Sequence, residues 1–515
     1  MDKGEQIDKI YNQLMALAND PDMNFTLLRS DWGKLNGLQY NDKKAMFYKS
    51  MRQLAKKCPV KFYNDSFYMF NGKIYEPVDS GVLDNAYGQM VETLAIAPMF
   101  GNTTARKECF TNTIKFYNSL EPRFDIVAFS NGVLDLSKPK KPVLHPFSPD
   151  FHVTYYHPYP YEEKAKCDRW QSFLKEVLPD KNSRIILQMF LGLGLVQRGI
   201  AYDPYNCKHV DKIELCLLLV GGGANGKSVI FEVMRALYGK DRISYMDYDT
   251  LTADGDEGMR GRYPIRNAIF NWSSDSTPKK FGRKNTGVFK RLVSGEPVAY
   301  RKLGQDIMDI GTVPYLIFNL NELPYPDDSS LGLIRRLQFV SFDVTIPKER
   351  QNPELASILI KNEISGIFNW VLRGTNELWR RFFKFPSAEG SQMALLKTLL
   401  GASPVLAWLK AYGLRNEKYD VKDMPEYITA VDLYKSFERF CKDNDLDEHD
   451  IPTSSSFGRI LRDKCSFHKK RTSTGVIYET YGASLSRLRH PLFITDVEDF
   501  KDKKPDGESF IKDED

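Results

Sequence analysis

Cysteine is scarce and scattered. The seven cysteines (Cys58, Cys109, Cys167, Cys207, Cys216, Cys441 and Cys465) include no C-x-x-C pair. That spacing suggests neither a zinc site nor a disulfide framework, and a reducing cytoplasm is the expected setting. No apolar run reaches the ~20 residues a spanning helix needs, so no membrane partner is expected. The start, Met1-Asp-Lys-Gly-Glu-Gln, does not read as a secretory leader. No internal repeat is present. Neither sign of charge dominates: 72 Lys and Arg against 67 Asp and Glu leave a net +5. That balance permits nucleic-acid binding without arguing for it, so local basic clusters must carry the case. At 515 residues the chain exceeds one core, and about three or more domains are expected.

The most informative stretch that is present runs from Leu215 to Ser228. An apolar, strand-like run breaks into Gly221-Gly-Gly-Ala-Asn-Gly226-Lys227-Ser228, and a helical pattern begins at Val229. The spacing G-x-x-x-x-G-K-S is that of a phosphate-cradling loop. Its glycines let backbone N–H groups turn onto phosphate oxygens, and the helix N-terminus adds a favourable partial charge. Gly221, Gly223, Ala224, Asn225, Gly226, Lys227, Ser228 and Val229 are the expected nucleotide contacts. Lys227 is placed to reach the β/γ-phosphates and Ser228 to hold Mg²⁺, so ATP and Mg²⁺ are the expected cofactors.

Six regions emerge from the patterns along the chain. Residues 1–55 read as helical. Residues 56–205 mix helix with β-hairpin signals at Asn71-Gly72 and Asn131-Gly132. From 206 to 347 strand-like runs alternate with helices, which is the signature of an α/β core with a parallel sheet. The expected strands are 214–220, 267–271 and 313–320. A helical segment spans 348–420. Residues 421–490 read helix, helix, basic hairpin, the pattern of a winged helix. The acidic tail 491–515 is expected to be disordered.

A phosphate loop alone does not name an activity. An ATPase also needs a carboxylate beside the γ-phosphate, to hold Mg²⁺ and polarise water. Asp275, at the end of Asn267-Ala-Ile-Phe-Asn-Trp-Ser-Ser-Asp275, is the candidate, with Asp247 and Asp249 as weaker rivals. Asn321, closing Tyr315-Leu-Ile-Phe-Asn-Leu-Asn321, is placed to bond the attacking water or the γ-phosphate. The pair Arg335-Arg336 comes closely enough after it to act as an interface finger on a neighbouring subunit's phosphate.

These motifs, with Phe289-Lys-Arg-Leu-Val-Ser-Gly-Glu-Pro-Val-Ala-Tyr-Arg-Lys and Asn321-Glu-Leu-Pro, resemble superfamily 3 helicases of the phage, plasmid and poxvirus helicase-primase type. The resemblance extends to Asn131-Gly-Val-Leu-Asp-Leu and covers roughly residues 60–480. It implies an AAA+ core preceded by an α+β helicase-associated domain. It also implies assembly into a homo-oligomeric ring, commonly a hexamer, with ATP between subunits, and 3′-to-5′ movement on single-stranded or forked DNA. Lys227, Asp275, Asn321, Arg335 and Arg336 take the catalytic places. One departure stands out: relatives often carry two acids or a Glu where Ser274-Asp275 offers a single short carboxylate.

In the family, a hairpin before the sensor strand grips DNA. Here Arg301 and Lys302 take that place, with Tyr300 as a stacking partner. The basic hairpin Lys469, Lys470 and Arg471 is a second expected DNA contact. The N-terminal region shows no D-x-D on a strand, so a separate primase or polymerase is the expected partner. The alternative reading is an ATP-switched replication initiator or loader that binds DNA without processive unwinding.

Overall fold

Two hairpin turns and a glycine-rich loop, all visible in the sequence, anchor the architecture of a computed structural model. It describes residues 2–19, 40–63, 66–94, 103–121, 125–137, 141–195, 213–273, 286–304, 307–310, 313–323, 333, 335–412, 426–464, 469–473 and 475–480. The chain divides into two units, Met1–Glu162 and Glu163–Asp515.

In the first unit, helices α1 (Lys3–Ala18) and α2 (Tyr40–Lys57) precede a three-stranded antiparallel sheet of β1 (Val60–Tyr63), β2 (Ser66–Phe70) and β3 (Tyr75–Val78). Asp2 and Glu5 cap α1 reciprocally, at 2.8 and 3.2 Å. Asn71 closes the β2–β3 turn by accepting from the N–H groups of Lys73 and Ile74. Helices α3 (Ser80–Thr93) and α4 (Thr103–Tyr117) complete a single core that holds Leu14, Leu54, Met69, Met90 and Phe110 together. No domain border therefore falls at 55, because the apolar stripes of α1 and α2 share one cluster with β2, α3 and α4. A four-stranded sheet comes next: β4 (Ile126–Phe129), β5 (Gly132–Asp135), β6 (Val143–His145) and β7 (Tyr156–His157), in the order β6-β5-β4-β7.

The second unit opens with α5 (Asp168–Val177) and α6 (Lys181–Gly192), then β8 (Cys216–Val220), α7 (Lys227–Tyr238), β9 (Ile243–Ser244), α8 (Tyr248–Thr252) and α9 (Gly255–Gly261). After these come β10 (Phe270–Ser273), α10 (Thr286–Ser294), β11 (Val298–Tyr300), β12 (Met308–Ile310), β13 (Tyr315–Leu320) and β14 (Leu337–Ser341). Five strands form one parallel sheet in the order β14-β8-β13-β10-β9. Strands β8 and β13 are almost uniformly apolar because both sheet faces are covered. On one face Leu218 and Phe318 pack with Phe289 and Leu292 of α10. On the other, Trp272 meets Phe231 of α7 edge-on at 5.6 Å.

The three expected strands begin later than their sequence runs suggest. Pro314 has no N–H to give the ladder, and residues Tyr263–Asn267 are taken by a 3-10 turn. Glu214 is spent on an ion pair.

The long helix α11 (Leu355–Arg380) crosses α6 where neither helix can carry a side chain. A Cβ on Gly192 would lie 2.5 Å from Thr375 N, and one on Gly374 only 2.1 Å from Gln188 O. Helices α5 and α6 thus belong to the second unit, and the border expected at 205 falls at 162 instead. Helices α12 (Glu389–Ala402) and α13 (Pro404–Ala411) lead to β15 (Glu426–Thr429), α14 (Ala430–Asp443), α15 (Ser454–Lys464), β16 (Lys469–Thr472) and β17 (Gly475–Thr480). The last three strands form an antiparallel sheet in the order β15-β17-β16. Trp408 of α13 shares a core with Phe437 and Phe457, so the border expected at 420 cuts through one cluster. The expected acidic tail lies outside the described residues. Among the described residues no helix is long and apolar enough to cross a membrane, and Cys58, Cys167, Cys216 and Cys441 are buried thiols outside any disulfide.

Candidate nucleotide site and nucleic-acid surfaces

Strand β8 delivers the chain to Gly221, whose N–H still bonds Leu320 O of β13 at 3.0 Å. The loop is then pinned from behind. Phe342 N–H donates to Val220 O at 2.7 Å and Ile346 N–H to Ala224 O at 2.8 Å. The buried Asn225 amide reaches back to Gly222 O. Ala224 and Gly226 both adopt left-handed backbone, at φ 58° and 86°. A side chain at Gly226 would meet Phe173 Cζ at 2.7 Å and Val177 Cγ1 at 3.0 Å, so α5 packs directly behind the cradle. Among the described residues no acceptor takes the N–H groups of residues 223–229. A run of unanswered donors at a helix N-terminus is a ready anion site.

Lys227 is buried, 7 % exposed, and its Nζ lies 2.5 Å from Gly221 O. Its other contact is Gly222 O, at 3.4 Å. Burial pulls its ammonium below the ordinary lysine range, so a nearby anion would restore what burial takes away. Ser228 is exposed at the head of α7. Val229 continues the first turn. These residues fit the triphosphate and cation that the loop spacing implies.

The sheet order puts the tip of β13 between those of β8 and β10. Asn321 is exposed just beyond that tip. Two residues earlier, on the same face by strand alternation, lies a residue the sequence reading missed. Asn319 is 5 % exposed and its Oδ1 accepts the Trp272 indole N–H at 3.0 Å. Indole nitrogen only donates, so this bond fixes the amide with its NH₂ turned away from β10. No sequence signal marks the pair, since it forms across two strands 47 residues apart. Asp275 lies outside the described residues, as does the basic run 279–284. Of its rivals, Asp247 is the N-cap of α8, accepting from Thr250 N at 2.7 Å. Asp249 is exposed in the first turn of that helix.

The arginine pair divides. Arg336 is buried, with its Nη2 2.9 Å from Glu214 and 3.1 Å from Ser294 Oγ. Its burial and these two bonds fit a structural strut, so of the two finger candidates Arg335 is the exposed one. Arg335 also touches Glu214, at 3.1 Å, but its side chain is 66 % exposed. Both precede β14, whose first residue is level with Cys216 at the start of β8. The cradle is at the other end of β8, a five-residue strand and about 16 Å away.

The hairpin expected before β13 is present: β11 and β12 pair antiparallel, with Tyr300 opposite Met308. Its turn end is clamped to α9. Arg301 N–H bonds Met259 O at 3.1 Å, and the Arg301 guanidinium bonds Asp256 at 3.0 Å. Lys302 and Leu303 at the turn are exposed. Tyr300 is 7 % exposed and packed 6.0 Å from the Tyr263 ring, so it is not open to a stacking base as expected. In the β16–β17 hairpin, Lys470 and Arg471 are exposed and Lys470 lies 5.6 Å from the Tyr427 ring. Lys469 lies in β16, with its side chain outside the described residues.

Parts of the chain are similar to known proteins. Residues 105–179 match a family described as D5 N terminal like. Residues 219–336, from within β8 to Arg336, match a family of unknown function, DUF5906. A protein named "Putative helicase L207/L206" from Acanthamoeba polyphaga mimivirus is 24% identical over 337 residues. Over part of its length the chain is thus similar to a viral protein named as a putative helicase, and its motifs resemble those of superfamily 3 helicases. The match takes in 62% of this chain and 31% of the mimivirus protein, so the chain spans about a third of that relative's length. Among solved structures, the A-form apo structure of the NrS-1 C-terminal region is 12% identical, covering 82% of this chain and 96% of that one with a TM-score of 0.44. A second A-form apo structure of that region is 11% identical with a TM-score of 0.42. The span 219–336 contains the cradle residues 221–229 with Trp272, Asn319, Asn321 and Arg335, while the backing residues Phe173, Val177, Phe342 and Ile346 lie outside it.

Proposed function

We propose that this chain is an ATP-driven, ring-forming DNA helicase acting in the replication of a phage or mobile element. The observation that carries the reading is the split between Lys227 and Arg335. The cradle and the exposed arginine lie at opposite ends of one sheet, so a phosphate held at Lys227 is out of reach of the same chain's Arg335. A second copy, docked with its Arg335 against the first copy's cradle, would complete the site. The strand order, with the sensor strand between the cradle strand and the acid-bearing strand, supports an AAA+ core. The terminal β15–α14–α15–β16–β17 element supports a winged helix.

In this reading the N–H groups of residues 223–229 and the Lys227 ammonium bind the β- and γ-phosphates. The Ser228 hydroxyl and Asp275 would hold Mg²⁺, which when bound neutralises phosphate charge. Asn321, and Asn319 locked by Trp272, orient water toward the γ-phosphate. Asp275 polarises that water, whose proton passes to a γ-phosphate oxygen as the bond to the ADP leaving group breaks, and Arg335 of the neighbouring copy stabilises the charge that develops on the transferring group. Lys302 at the hairpin turn contacts the DNA backbone, with Lys470 and Arg471 as outlying contacts.

The experiment is DNA-stimulated ATP hydrolysis together with strand displacement from a tailed duplex. Both are expected in the native chain and both should vanish in Lys227→Ala. Hydrolysis without displacement would favour an ATP-switched initiator. Unwinding that survives Lys227→Ala would remove the assigned nucleotide site.

A further inference from the structure

Among the residues of α2, β1 and α4 whose side chains are described, Lys49, Arg52, Lys56, Lys57, Lys61 and Lys115 are cations and none is an acid. The same place shows aromatic rings with no packing role. Phe116 is 80% exposed and Tyr117 is 47% exposed, their centroids 4.9 Å apart in an edge contact. Helix α4 already meets the core through Phe110 and Ile114, so the fold does not call for large apolar rings at its outer end. An exposed aromatic pair of this kind marks an interaction site.

The cations lie among the rings. Lys56 Nζ is 4.4 Å from the Tyr117 centroid, and Lys115 Nζ is 5.4 Å from that of Phe62. The surface is also rigid. The Asn118 amide, next along the chain, donates to Cys58 O at 2.6 Å and Val60 O at 2.7 Å. Phe62 and Asn118–Leu120 exchange backbone bonds, both at 2.9 Å. One buried side chain therefore fixes the end of α2, the start of β1 and the end of α4 as a single platform.

We propose that this face of the first unit is a binding site for single-stranded nucleic acid. Bases stack on Phe116 and Tyr117, and backbone phosphates meet Lys56 and Lys115. Ring faces need unpaired bases, because duplex bases are already stacked on one another, so the site distinguishes single strand from duplex. The charge excess favours a phosphate backbone as occupant. The site uses no residue of the nucleotide cradle or of the β11–β12 hairpin.

The test is fluorescence anisotropy on the full chain without nucleotide, using a labelled oligothymidylate of about 30 residues and a duplex of equal length. It is run in the Lys302→Ala background, to reduce binding at the hairpin. Phe116→Ala with Tyr117→Ala is expected to weaken oligothymidylate binding about tenfold while leaving duplex binding nearly unchanged. Lys56→Ala with Lys115→Ala should lower the salt dependence of single-strand binding by about one to two phosphate contacts. Crosslinking with 5-iodouracil in the same oligonucleotide should label Phe116 or Tyr117. Oligothymidylate affinity unchanged in both double variants overturns the proposal, as does an equal loss for duplex. Unchanged affinity with altered sedimentation of the Phe116/Tyr117 variant would assign the face to protein contact instead. None of these results depends on ATP hydrolysis, so failure of the helicase reading would be seen separately in Lys227→Ala.

Discussion

The cradle around Lys227 and the face around Phe116 are built in opposite ways. In the cradle the binding groups are backbone N–H groups and one buried ammonium, held by strand ends, by Asn225 and by the packing of α5. On the Phe116 face they are exposed side chains on a rigid base. A backbone site must be written into the sequence, because a left-handed turn such as that at 226 calls for glycine. A side-chain site needs only that chemistry accumulate on one face, and no fixed spacing announces it. The cradle should therefore fail abruptly under single substitutions, and the exposed faces should fail gradually.

The sharpest break is Lys227→Ala, for which ATP turnover should fall at least ~100-fold, measured as phosphate release with and without DNA. Near-normal turnover would mean the buried ammonium is only structural. The arginine pair repeats the contrast two residues wide. Arg336→Ala should cost about 3 kcal/mol of stability by breaking a buried pair. Arg335→Ala should leave the melting temperature nearly unchanged while reducing turnover. If the two variants melt alike, burial does not distinguish them.

Trp272→Phe tests the buried side of the comparison more finely. Loss of the indole N–H leaves Asn319 Oδ1 without its partner, at a cost of about 1–3 kcal/mol. Turnover should fall more than nucleotide affinity does, and a change confined to affinity would place Asn319 outside the hydrolytic machinery. On the exposed side, Lys302→Ala should weaken DNA binding a few-fold and reduce the salt slope by about one, with DNA-independent ATPase retained. The smallest effect belongs to Glu377, whose carboxyl the Arg380 hydrogen bonds, and then those of Arg381, hold down to about 2. A depressed carboxylate contributes stability above its ordinary range, near 4.3, and loses it as pH falls toward 2. Glu377→Gln should therefore cost no more than about 1 kcal/mol at neutral pH, and its difference from the parent should shrink below pH 4.

The same contrast explains what the sequence made legible. The β8–loop–α7 turn, the β11–β12 hairpin and both Asn-Gly turns were readable because local backbone demands select specific residues. The Trp272–Asn319 bond was not, because it depends on which strands become neighbours. Tyr300 was misread for a related reason: its strand has two faces, and the tyrosine fell on the buried one. The borders at 55, 205 and 420 were misplaced because packing between remote segments decides them. Gly192 against Thr375 is an example, and the glycine there gives no hint of its partner. Burial likewise separates Arg335 from Arg336, which are adjacent in sequence.

The central claim is that two copies share each nucleotide site, and a mixing experiment tests it most directly. Lys227→Ala and Arg335→Ala, each inactive alone, are combined in equal amounts under conditions that allow subunit exchange, and ATP hydrolysis is measured. Interfaces that pair an intact cradle with an intact arginine should restore roughly a quarter of native activity. A mixture no more active than the average of its two components would contradict the shared site.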